Sequence, residues 1–400
     1  MRLTRREGPS IFFERAGDAG RLLIRRLHLP PVRLDDALPL GHHRGMTFSF
    51  DFFSRSRKEL IAYFEYFGEV ECPQIDGEIY RELCRVVRND ETLLEIAAQA
   101  SPNQPPANLL FGAVHSLLLA GEAHSLREWY PALSGGETKA TNSIGPAFKE
   151  FCSLHRPRIE ELMRTRLTQT NVVQRCTALL PAFGRVLGEA GGQPLSLIEI
   201  GPSAGLNLQW DRFFYRYADG RSWGDSSSRV VVECALRGNV GLPDIPESIP
   251  VTWRRGVDLN PVDLEDPDQM LWLRSLIWPD HVGRQERLTA AIEIARENPP
   301  QIVEGDASVE LPLLLAEAPD QTTLCVYGTH TLYQFPREAR VATLKAMQAA
   351  SRQRTVHFLG MEGTGQDFSE LRWTVYKDGE RSTRVLARCN PHGRWLEWLG

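Results

Sequence analysis

The stretch LIEIGPSAGLNL (Leu197–Leu208) decides the fold. It opens as a short apolar run of strand type, turns through Gly201, Pro202, Ser203, Ala204 and Gly205, and continues as an apolar run that reads as a helix start. Small residues let a ligand approach such a turn closely, and free amides at the start of a following helix favour acceptor groups. Leu206 stands where the third glycine of G-x-G-x-x-G belongs, which disfavours a dinucleotide site. The same letters satisfy G-x-S-x-G, in which Ser203 would be the nucleophile of a serine hydrolase, with Asp306 and one of His330, His357 or His392 completing a triad. A hydrolase elbow normally follows several strands, whereas everything upstream here reads helical.

Outward from the turn towards the C terminus, VTWRRGV (Val251–Val257), QIVEG (Gln301–Gly305), TLCVYG (Thr323–Gly328) and TVHFLG (Thr355–Gly360) are further short strands separated by helical runs. Such alternation predicts a mostly parallel sheet covered on both faces. LRWTVYKDGERSTRVLAR then reads as two alternating strands joined at Asp378-Gly379, an antiparallel hairpin at the end of the sheet. An insertion at about residues 216–250 is polar at first and strand-like at Val230–Leu236.

Towards the N terminus the period changes. Leu60, Ile61, Phe64 and Phe67 share one helical face, as do Ile79, Leu83, Val86 and Val87, with breakers at SPNQPP (Ser101–Pro106) and PALSGGE (Pro131–Glu137). A third helical run spans about Arg158 to Leu187 and carries a polar patch, Gln169, Thr170 and Asn171, with either solvent or a pocket as its partner. The expected organisation is α/β: an all-α helical domain over residues 46–192, then a Rossmann-like sheet domain over residues 193–400. The Arg- and Pro-rich residues 1–45 read as a poorly ordered extension.

Composition narrows the function classes. Of 400 residues, 42% are hydrophobic and 24% charged, as in ordinary globular chains. The formal charge of −5 has the wrong sign for binding nucleic acid through its phosphates, so no nucleic-acid partner is expected. LLFGAVHSLLLA (Leu109–Ala120) is the longest apolar stretch and is too short to span a bilayer, so no membrane partner is expected either. Seven scattered cysteines without a C-x-x-C pair predict reduced, mostly buried thiols and a cytoplasmic protein, with no metal site.

The candidate site follows from acids at strand ends, because open α/β sheets bind ligands outside the carboxyl ends of their strands. Glu199, Asp258 and Asp306 take those places. Each has a plainer role: Asp258 suits the turn begun by LNP, and Asp306 suits the N-cap of ASVELPLLL. Together, E-x-G-x-S-x-G, GVDLNP and EGDA resemble the three motifs of class I S-adenosylmethionine-dependent methyltransferases, and the terminal hairpin resembles that fold's last strands. Over a longer span, from about Phe50 to the C terminus, the chain is similar to bacterial domain-of-unknown-function family 2332, whose members carry LIEIG-x-SAGLNL and G-(I/V)-DLNP segments. The methyltransferase resemblance implies S-adenosylmethionine as cofactor and a small-molecule substrate. It places Glu199, Gly201, Ser203 and Gly205 at the methionine portion, Asp258 at the ribose, and Asp306 with Ala307 at the adenine. His330 and Glu362, just past the fourth and fifth strands, are the catalytic candidates, either of which could take a proton from a nucleophile. A ligand-binding or scaffold protein without catalysis is the alternative, since a fold alone does not choose a function.

Overall fold

The computed structural model describes residues 56–102, 104–135 and 138–400, which fall in one compact unit. The expected extension over residues 1–45 lies outside the described residues. From Arg57 to Glu189 the described chain is helical. Ser56 opens the first helix with a reciprocal capping box to Glu59. Leu60, Phe64, Phe67, Ile79, Leu83 and Val87 are all buried and meet in one core, as their spacing predicts. That core also takes Trp272, Leu276 and Trp278 from beyond the first strand, so residues on either side of the glycine turn share it. Trp278 lies 5.0 Å from Tyr80 and 5.5 Å from Phe67, centroid to centroid, and large rings contribute much of the apolar area buried there.

Eleven strands form one sheet: β1 (Leu195–Ile200), β2 (Phe214–Tyr217), β3 (Ser222–Trp223), β4 (Val231–Arg237), β5 (Val251–Asp258), β6 (Ile302–Glu304), β7 (Thr323–Thr329), β8 (Val356–Gly363), β9 (Ser369–Lys377), β10 (Glu380–Cys389) and β11 (Trp395–Trp398). Their order is β3-β2-β4-β11-β10-β9-β8-β7-β1-β5-β6. The five strands read from the sequence as parallel, β6-β5-β1-β7-β8, are so paired. Both faces of this part are covered. Leu195, Leu197, Cys325 and Tyr327 pack with helices Cys176–Glu189 and Val282–Glu297, while Ile198, Ile200, Leu324 and Val326 pack with helix Ala307–Glu317. Period-2 alternation within β1 and β7 sends neighbouring side chains to the two cores.

The hairpin β9-β10 turns at Asp378 and Gly379, both at positive φ (54° and 82°), the backbone twist that two-residue hairpins require. Beyond it the structure differs from expectation. β11 pairs antiparallel with β10 and parallel with β4, so the insertion is an extension of the same sheet and not a separate excursion. The helix expected after Gly205 is present and is of 3-10 type, Leu206–Arg212. The run expected to be helical from Arg158 to Leu187 is broken: one helix ends at Thr165, another starts at Cys176, and residues 166–172 run without regular structure.

Candidate functional site

The turn after β1 depends on two residues at positive φ that a side chain tolerates poorly and one that bears a side chain all the same. Gly201 and Gly205 both stand at φ 71°, and Ser203 at φ 54°. A Cβ on Gly201 would lie 2.4 Å from Thr331 Cγ2, and one on Gly205 would lie 2.6 Å from Pro300 Cβ and Cγ. Both glycines therefore serve close packing of the turn against the chain itself.

The amides expected to face a ligand already have acceptors. Gly201 N donates to Val257 O at 2.9 Å and Gly205 N to Pro202 O at 2.8 Å. Ser203 N donates to Asp258 Oδ2 at 2.8 Å, and Asn171 Oδ1 accepts from Ala204 N at 3.1 Å and Leu206 N at 3.4 Å. Asn171 Nδ2 donates in turn to Pro202 O at 3.0 Å. Gln169 donates to Asn260 O at 2.8 Å and to Asp258 Oδ1 at 3.4 Å. The polar patch Gln169–Asn171 thus belongs to the irregular segment over the turn, which corrects its assignment to a helix. Asn171→Ala would strip the acceptor from two turn amides. We expect a loss of about 1–3 kcal/mol in urea unfolding, with Asn171→Asp, which keeps the acceptor, losing much less.

The three strand-end acids do not converge as a set. Asp258 holds the turn: Oδ1 also accepts from Asn260 N at 2.9 Å. Asp306 is exposed and N-caps helix Ala307–Glu317 by accepting from Ser308 N at 2.7 Å, while Ala307 is buried in the apolar core beneath it. The plainer role read for each of these two aspartates is the one the structure displays. Glu199 is buried at 1% exposure near the end of β1, where its Oε2 accepts from the Tyr327 hydroxyl at 3.1 Å. Burial raises its pKa to about 8, against the lowering effect of the bonds from Tyr327 and Asn207; Asp258 adds a smaller upward push.

A second buried group lies at the ends of β7 and β8. Glu362 Oε1 accepts from Leu332 N at 2.9 Å and Thr331 N at 3.2 Å, the same Thr331 whose side chain fills the space at Gly201. Its other oxygen is buried without a hydrogen-bond partner, and burial raises this carboxyl to about 7. His330 sits at φ 57°, with Nε2 2.9 Å from Ser369 Oγ; burial, and then the charge of Arg175, hold it well below its usual pKa. Arg175, absent from the residues read as functional, lowers both Glu199 and Glu362 electrostatically, yet its hydrogen bonds go to the carbonyls of Pro391 (2.9 Å) and Thr329 (3.3 Å). Only tertiary structure brings that arginine here, so no local pattern marked it.

The hydrolase arrangement is not assembled. Ser203 Oγ is buried with no hydrogen-bond partner, Asp306 is an exposed cap, and the three histidines are bonded elsewhere: His330 to Ser369, His357 to Trp373 Nε1 at 3.2 Å, and His392 to Arg284 at 3.0 Å. All seven cysteines are buried and unpaired, and among the described residues no group of three or more His, Cys, Asp or Glu side chains is placed to hold a metal. No helix among the described residues is long and apolar enough to cross a membrane.

The family described as "Uncharacterized protein conserved in bacteria (DUF2332)" matches residues 62–398, and the chain belongs to it. No curated protein and no solved structure matches the chain. The class defined by fold and site is therefore a mixed α/β protein of this bacterial family, with a large, mostly parallel sheet and a polar, carboxylate-containing centre at the C-terminal ends of β1, β7 and β8.

Proposed function

We propose that the chain is an S-adenosylmethionine-dependent methyltransferase acting on a small molecule. One observation carries the reading: a buried carboxyl with an uncommitted oxygen, Glu362, stands at the end of β8 in a parallel set ordered β6-β5-β1-β7-β8. Ranked by position along the chain these strands run 3-2-1-4-5, the nucleotide-binding order, and ligands of such sheets sit where that order reverses, here between β1 and β7. The residues fit the cofactor in kind. Ser203 Oγ and Glu362 Oε2 are enclosed polar atoms without partners, and Asp258 Oδ2, with one bond accepted, retains a lone pair for a hydroxyl. Glu199 and Ser203 would hold the methionine end and Asp258 the ribose, with side chains and not turn amides as the contacts.

When bound, S-adenosylmethionine supplies an electrophilic methyl group. The chain's own part is proton transfer and orientation. With a pKa of about 7, Glu362 is partly ionised at neutral pH, so its free oxygen can take the proton of an acceptor hydroxyl or amine. The two amides on its other oxygen fix the carboxyl plane. His330, neutral and tied to Ser369, positions the loop after β7.

A scaffold reading has its own support: every turn amide is bonded within the chain, and Thr331 and Pro300 occupy the space above the glycines. Calorimetry separates the two. S-adenosylmethionine is expected to bind the full chain with saturable heat at micromolar concentration, and Glu362→Gln to leave that affinity within about threefold, because Gln keeps the acceptor for both amides. An absence of heat at millimolar ligand would remove the methyltransferase and leave the scaffold.

A further inference from the structure

Helix Val282–Glu297 begins against the loop between β10 and β11, and its amino end is charged in an unusual way. A helix N-terminus favours negative charge, yet the first turn holds no acid and carries Arg284. Arg284 Nη1 lies 3.0 Å from His392 Nδ1 and 3.3 Å from His281 Nδ1. His281 Nε2 lies 2.6 Å from Ile75 O and 3.1 Å from Arg394 Nη2; donation from Nε2 to the carbonyl makes Nδ1 the acceptor that faces Arg284. Burial and the surrounding arginines hold both imidazoles below their usual pKa, so they stay neutral and supply no counter-charge.

The neighbours add to the excess. Arg175 is 8% exposed and bonded to two carbonyls, and Arg287 Nε donates to Val231 O at 3.1 Å. Among the described residues, none of Arg175, Arg284 and Arg287 has a carboxylate oxygen within 4.0 Å. Glu233 and Glu286 act on Arg287 only at longer range, and Glu233 is paired with Arg216. Arg394, the fourth cation, has Asp76 at 2.5 Å. Arg284 and Arg287 are half-buried, and a guanidinium partly withdrawn from water without a counter-charge favours an anion. A cavity of about 20 Å³ opens beside Arg284 and Arg287, with Asn171 and Gln174 on its opposite wall. One water needs roughly 10–15 Å³ by this kind of measure, so the space takes the oxygen end of a carboxylate and not a whole phosphate.

We infer that Arg284 and Arg287, at the amino end of helix Val282–Glu297, bind a carboxylate in this cavity, with Asn171 and Gln174 as polar neighbours. The inference stands apart from the methyl-transfer reading, because it needs no adenosyl ligand. Planar guanidinium forks match carboxylate geometry, and Asn171 links the cavity to the turn after β1, so a bound carboxylate would also stabilise the segment that covers the turn.

The test is thermal unfolding of the full chain at constant ionic strength, with chloride replaced stepwise by formate and, in a parallel series, by succinate. A saturable rise in Tm of roughly 3–6 °C with formate is expected, since a ligand that binds only the folded state stabilises by mass action. A matching response to succinate would mark the site as taking the end of a larger carboxylic acid; a response to formate alone would mark a small free anion. Arg284→Gln should abolish the response and Arg287→Gln should weaken it. If Arg284→Gln does not fold, Arg287→Gln and the formate-against-chloride comparison decide. An equal Tm in formate and chloride, or a response that survives in both variants, would overturn the inference.

Discussion

Gly205→Ala is expected to cost roughly 2–5 kcal/mol, and Gly205→Val to prevent folding. Two effects add. A side chain at φ 71° meets the left-handed penalty of about 1–2 kcal/mol. The new Cβ would also stand 2.6 Å from Pro300 and 3.1 Å from Ile302 Cδ1, and relieving such overpacking costs about 1–3 kcal/mol. Gly191 is the internal control, because it has nearly the same φ, 69°, and nothing within 4 Å of a built Cβ. Gly191→Ala should therefore show only the first effect, about 1–2 kcal/mol. Urea unfolding of the two variants beside the parent measures the difference. Equal losses would mean that Pro300 yields and that the turn is not packed as described. A larger loss at Gly205 would explain that glycine by chain packing alone, without appeal to a ligand.

The central strands were legible because LIEIG and TLCVYG are short apolar runs cut off by glycine, a signal that needs no partner to be read. The Asp378-Gly379 hairpin was legible for the same local reason. β11 was not: WLEW has four residues, and only its pairing with β4 and β10 makes it a strand. The segment after Thr165 misled in the opposite direction. No glycine or proline interrupts the run from Arg158 to Leu180, but Gln169 and Asn171 gain more from the turn and the Asn260 carbonyl than from a helical ladder. Tertiary hydrogen bonding overrode local pattern there.

The candidate site divides along the same line. Asp258 and Asp306 carried two meanings in sequence, ligand contact or cap, because the residue type that accepts from a ribose also accepts from a backbone amide. Position along the chain does not separate them; in the structure both aspartates accept from backbone amides, Asp306 as a helix cap and Asp258 from Ser203 and Asn260, with a lone pair left on Asp258 Oδ2. Glu362 was legible as an acid beyond the fifth strand, but its spare oxygen was not, since that depends on two amides from the loop after β7. Tyr327 and Arg175, which border the buried carboxyls, carry no motif at all.

Those buried carboxyls make the folded chain lose stability as pH rises through neutrality. A carboxyl held protonated by burial retains a proton that the unfolded chain has released, so stability falls from the unfolded pKa up to the folded one. Glu71 and Glu362 titrate at about 7 and Glu199 at about 8, each raised from 4.5 mainly by burial. Histidines oppose this trend most strongly below neutrality, and the opposition fades by about pH 7.5. His115, His281 and His357 are depressed from 6.5 to about 4, so their stabilising contribution grows with pH and is complete once the unfolded imidazoles are neutral. The unfolded imidazoles are still half protonated at about pH 6.5, and His330 and His392 are depressed as well, so between pH 7 and 8 the histidines roughly cancel Glu71 and Glu362 and Glu199 is the group whose proton release shows. At about 1.4 kcal/mol per pH unit, a net decline of roughly 1 kcal/mol is expected between pH 7 and 8. Glu199→Gln keeps an acceptor for the Tyr327 hydroxyl and removes the titration, so its unfolding free energy should be nearly flat from pH 7 to 8. Urea denaturation at half-unit steps reads both slopes. Parallel slopes for parent and variant would show that Glu199 is ionised in the folded chain, and with it would go the neutral buried carboxyl placed at the end of β1.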